Sequence, residues 1–110
     1  MQATEYLLTC LAEEAAEIVK DSCKSLRFGL DDVYTHIDAE GVEVIKNEMG
    51  TNRDRLIAEL NDLAGTVRLL QEYGIIPEQW GNNDKQKAKI EKLRRYSKYS
   101  KKVGALDQEL

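Results

Sequence analysis

Two pairs of acids, Glu14 with Glu17 and Glu59 with Asp62, set the tightest constraint on how this chain can fold. The members of each pair stand three residues apart, and on a helix that spacing puts both side chains on one face. At ~100° per residue, Glu59 falls inside the apolar stripe of Leu56, Leu60, Leu63, Val67 and Leu70. Glu14 lies at the margin of a second stripe, formed by Leu7, Leu11, Ala15 and Ile18, with Glu17 just outside it. Acids three apart on a helix are ordinarily solvated surface, but acids at the edge of a core are expected to be paired or ligating. Two such helices side by side bring four carboxylates together.

Four anions in a half-buried pocket need a counter-charge, because each raises its neighbours' pKa and resists desolvation. A hard divalent cation supplies it. All-oxygen ligation suits Mg²⁺, with Mn²⁺ as the alternative, and Mg²⁺ characteristically keeps positions for water and phosphate oxygens.

A chain of 110 residues is expected to form one domain, spanning 1–110. That length buries roughly 65% of the surface exposed by an unfolded chain. The 33% of charged residues, the single Pro and the scarcity of aromatics favour a helical protein over a β sandwich. Cys10 and Cys23 fall several turns apart on one predicted helix and cannot bridge each other, which suits a reducing compartment. No run of 18 apolar residues or signal-peptide pattern is present, so a soluble, cytoplasmic protein without membrane association is expected.

The net charge of −4 hides an asymmetry. Residues 85–102 hold nine Lys or Arg against Glu91 alone, whereas residues 1–84 hold seven bases and seventeen acids. An acidic, cation-binding body with a basic C-terminal segment fits a polyphosphate, whose oxygens can meet metal on one side and Lys or Arg on the other. A solvated helix or a nucleic-acid-binding tail accounts for the same charge.

The first helix is expected to start near Thr4 as N-cap and to end at Arg27 or Phe28, before Gly29 in a left-handed cap. Lys24 lies two turns beyond Glu17 on nearly the same face, with Asp21 between them. It is placed either to reach a phosphate or simply to complement the helix dipole. Residues 31–50 read ambiguously. Tyr34–Ile37 and Val42–Ile45 can pair as a short hairpin about Asp38-Ala39-Glu40-Gly41, while a helical turn over 43–49 competes. Thr51-Asn52-Arg53-Asp54 resembles a capping box and Tyr73-Gly74-Ile75-Ile76-Pro77 a glycine stop, predicting a second helix over 53–73. Asn82-Asn83-Asp84 offers an N-cap for a third over 84–102, whose stripe of Ile90, Leu93, Tyr96, Tyr99 and Val103 is thin. These helices enclose little core, so a homodimer or homotetramer completing a larger bundle is expected. No Glu-x-x-His pair, Gly-rich phosphate loop, Cys/His cluster or Ser-His-Asp set is present.

The run Leu11-Ala12-Glu13-Glu14-Ala15-Ala16-Glu17, followed by Glu59-Leu60-Asn61-Asp62, resembles the EExxE and ExxD motifs of the all-α nucleoside triphosphate pyrophosphohydrolases, the MazG-like superfamily. The stretches Lys24-Ser25-Leu26-Arg27-Phe28-Gly29-Leu30-Asp31-Asp32 and Asn52-Arg53-Asp54-Arg55-Leu56 look like those of its short phage and bacterial members. The segment between the motifs is longer than in compact members.

The resemblance implies an all-α bundle that hydrolyses a nucleoside triphosphate to monophosphate and pyrophosphate with Mg²⁺, as nucleotide-pool housecleaning. By motif position it makes Glu14, Glu17, Glu59 and Asp62 metal ligands. Glu13, about 40° from Glu17 around the helix, or a ligand carboxylate would take the proton of the attacking water, Glu14 being the candidate among the ligands. Lys24, Lys89 and Lys92 are the candidate phosphate-binding bases. A phosphoribosyl-ATP pyrophosphatase shares the motifs. A non-catalytic metal-binding helical module, or a nucleic-acid-binding protein relying on the tail, would release no pyrophosphate, and the latter's affinity would fall steeply with salt.

Overall fold

A computed structural model describes residues 1–110. The chain runs α1 (Ala3–Phe28), β1 (Thr35–Ile37), β2 (Glu43–Ile45), a short 3₁₀ turn (Asn47–Met49), α2 (Asn52–Glu72) and α3 (Asn83–Lys102). It is mostly helical with one two-stranded sheet, and it divides into two compact units, Met1–Ile76 and Pro77–Leu110.

The helix ends follow local chemistry. α1 begins before Thr4, with Gln2 as N-cap, because the Glu5 carboxylate reaches back to accept the Gln2 N–H at 3.2 Å. It ends at Gly29, whose φ of 95° and ψ of 145° swing the chain out in place of the expected left-handed helical cap. α2 opens with the expected capping box. The Asp54 N–H donates to Thr51 Oγ1 at 3.1 Å and the Thr51 N–H to the Asp54 carboxylate at 3.0 Å. These bonds hold Asp54 below the usual carboxylate range. At its far end Gly74, at φ 68°, lets the Ile75 N–H bond back to the Leu70 carbonyl, which closes the helix.

The ambiguous segment resolves as the antiparallel hairpin: Glu43–Ile45 is its second strand and not part of a helical turn over 43–49, and only Asn47–Met49 forms a single 3₁₀ turn. Thr35 pairs with Ile45, His36 with Val44 and Ile37 with Glu43. The turn is held by Asp38, whose Oδ1 accepts the N–H groups of Glu40 and Val42. Backbone bonds from Tyr34 N–H to Gly50 and from Lys46 N–H to Tyr34 extend the pairing toward α2. Gly50 has φ 71°, and a Cβ there would sit 2.5 Å from the Asp54 carboxylate, so only glycine fits beside the cap.

The root of the hairpin is clasped to both long helices. Asn52 Nδ2 donates to the Gly29 carbonyl at 2.9 Å, and the backbone N–H groups of Asn52 and Arg53 donate to Asp32 and Leu30. The Arg53 guanidinium forks onto Asp31 at 3.1 and 3.4 Å, which raises its already high pKa. The end of α1 thus meets the start of α2, and the two helices pack against one another. Few side chains are sealed: Leu7, Tyr34 and Leu70 are the buried apolar residues, while Val19, Leu26, Ile57 and Leu60 are exposed. No helix is long and apolar enough to cross a membrane.

Candidate metal centre

Packing of α1 on α2 brings Glu14, Glu59 and Asp62 to one place, with one carboxylate oxygen of each within 4.8 Å of the others. Glu59 is buried, as its position inside the α2 stripe predicts, Glu14 is half-buried and Asp62 is exposed. The Glu14–Glu59–Asp62 cluster therefore opens to solvent on the Asp62 side.

Glu59 carries the electrostatic tension. Burial pushes its carboxyl above the ordinary value of 4.5; the Arg55 guanidinium pulls the other way, and the charges of Asp62, Asp21 and Glu14 oppose ionisation further. Arg55, one turn earlier on α2, bonds Glu59 Oε1 through Nη2. One cation faces the several acids whose charges bear on Glu59. Glu14 Oε2 and Asp21 Oδ2 are buried with no hydrogen-bond partner, an arrangement that costs free energy in a metal-free protein. The donor set contains only carboxylate oxygens, the ligand type of hard divalent cations.

The other candidates fall in different places. Glu17 is exposed outside this triad, with an oxygen 3.7 Å from Lys20 Nζ. Glu13 is exposed on α1. Lys24 is half-buried with its Nζ 4.1 Å from the centre of the Tyr34 ring. Lys89 and Lys92 are exposed on α3 in the second unit, Lys92 with its Nζ 5.9 Å from the Tyr96 ring.

Sequence reasoning missed two participants. Asp21, only 2% exposed, stands seven residues after Glu14 and so lies on the same helix face. That spacing was the available signal. Arg55 stands four residues before Glu59, the ordinary spacing of a helical ion pair. Comparison with protein-family models, with curated proteins and with solved structures finds no match for this chain.

Proposed function

We propose that this protein is a Mg²⁺-dependent nucleoside triphosphate pyrophosphohydrolase of the MazG-like type, releasing a monophosphate and pyrophosphate. The observation that carries this reading is the Glu14–Glu59–Asp62 cluster, with buried, unpartnered carboxylate oxygens on Glu14 and Asp21. Glu14, Glu59 and Asp62 would hold the cation, with Glu17 as a further ligand from the exposed side and Mn²⁺ as a substitute. The ion would neutralise phosphate charge and orient a water for in-line attack at phosphorus. Glu13 and Glu14 are the carboxylates that would accept that water's proton. The test is hydrolysis of triphosphates with Mg²⁺ and with EDTA: turnover is expected only with the cation, and equal turnover in EDTA would overturn the reading.

Lys89 and Lys92 extend the proposal to the basic segment as phosphate ligands. Replacing both by Ala is expected to lower kcat/KM by roughly tenfold to a hundredfold, since each charge-assisted contact is worth ~1.5–3 kcal/mol. Divalent-cation binding should be unchanged, because the carboxylates lie elsewhere in the chain. Unchanged kinetics with abolished DNA or RNA binding would assign the segment to nucleic acid.

The working unit is proposed to be a dimer or larger assembly. Val19 and Leu26, seven residues apart on one face of α1, are 62% and 86% exposed, and Ile57 and Leu60 are half-exposed on α2. Light scattering at micromolar concentration is expected to give at least twice the chain mass. A monomer mass would refute this.

A further inference from the structure

The hairpin gives its two faces opposite chemistry. Alternation puts Val33, Thr35 and Ile37 on one side with Ile45 and Glu43, and Tyr34 and His36 on the other with Val44 and Lys46. The second side, together with α1, lines an open cavity of about 600 Å³ bounded by Lys20, Lys24, Tyr34, His36, Lys46 and Met49. Three lysines and the chain's sole histidine line it with no carboxylate among the lining residues, although Lys20 Nζ lies 3.7 Å from a Glu17 oxygen. That is notable in a stretch where residues 1–84 carry ten more acids than bases. Like charges brought to one concavity repel, and a multiply charged anion converts the repulsion into attraction.

The cavity's place relative to the carboxylates narrows the ligand. The buried Tyr34 ring has Lys24 Nζ at 4.1 Å and the Arg55 guanidinium at 5.9 Å, and Arg55 in turn bonds Glu59. One aromatic ring and one arginine therefore connect the cationic cavity to the acidic cluster. We infer that the cavity is a polyphosphate subsite, in which Lys20, Lys24 and Lys46, with His36 as a further donor, hold linked phosphate groups. Its assignment to the β and γ phosphates, and so to the departing pyrophosphate, rests on the hydrolase reading; the affinity for linked phosphates does not. The hairpin insert is then part of the binding site, since Lys46 and His36 come from it.

Calorimetric titration of the full chain with inorganic pyrophosphate, in EDTA and low salt, tests this. Saturable binding is expected, weakened roughly tenfold or more in Lys46→Gln and largely restored in Lys46→Arg. Glu59→Gln should bind pyrophosphate at least as tightly as the wild type, because it removes a negative charge near the path. Absence of saturable binding, or Lys46→Gln titrating like the wild type, overturns the subsite. Loss of pyrophosphate binding in Glu59→Gln also overturns it, by moving the anion to the carboxylates. Pyrophosphate binding by a protein that hydrolyses no triphosphate would sink the hydrolase reading and leave the subsite standing.

Discussion

Glu59→Gln is expected to abolish triphosphate hydrolysis, with a loss of kcat on the order of a thousandfold or more, while leaving the metal-free protein as stable as the wild type or more so. The two effects share one cause. Glu59 is 4% exposed, and burial together with the charges of Asp62, Asp21 and Glu14 works against its ionisation. An amide of the same shape keeps an oxygen for Arg55 and removes the repulsion, but it cannot serve as an anionic ligand. Kinetics and thermal melting on the same preparation check both halves. Retained turnover would show that the site is misplaced.

The pH dependence follows with a definite sign. The folded-state pKa of Glu59 lies above the ordinary 4.5, so the neutral carboxyl favours the folded, metal-free protein. That contribution is complete below the unfolded-state value and is lost as pH rises through the raised folded value. A bound cation needs the carboxylate, so its stabilisation runs the opposite way and grows over the same interval.

The second large effect concerns Arg55. Its side chain is 23% exposed and supplies the ion pair to Glu59. Arg55→Met leaves that carboxylate without its cation among the neighbouring acids. Fully buried pairs broken this way lose ~3–5 kcal/mol, and partial exposure brings the expected loss to about 2 kcal/mol near neutral pH. Mg²⁺ replaces the missing positive charge, so melting curves with and without it should converge much of the way toward the wild type. A deficit equally large in Mg²⁺ and in EDTA would show that Arg55 acts by packing on Tyr34 and not as a counter-ion.

What the sequence revealed and what it hid divide along the range of the interactions. The α2 start was legible because Thr51 and Asp54 bond each other across a single turn. The burial of Glu59 was legible because helical periodicity alone puts it in the stripe with Leu56 and Leu63. The N-cap of α1 is Gln2, two residues before the expected Thr4, since Gln2 is a poor side-chain cap and the closing bond comes from Glu5. The clasp of Asn52 on Gly29 and Arg53 on Asp31 spans more than twenty residues, so no local pattern announces it. Within 31–50, β pairing and a 3₁₀ turn follow each other over a few residues, too few for either periodicity to stand out. The cationic cavity was hidden for the same reason: Lys20, Lys24, His36 and Lys46 converge only once the hairpin register is fixed.

The most direct test of the account is product analysis after incubating the protein and Mg²⁺ with a panel of ribo- and deoxynucleoside triphosphates, resolved by chromatography. At least one triphosphate is expected to yield monophosphate and pyrophosphate in equal amounts, with no diphosphate intermediate. Diphosphate and orthophosphate as the products, or no hydrolysis of any triphosphate in the panel, would contradict it.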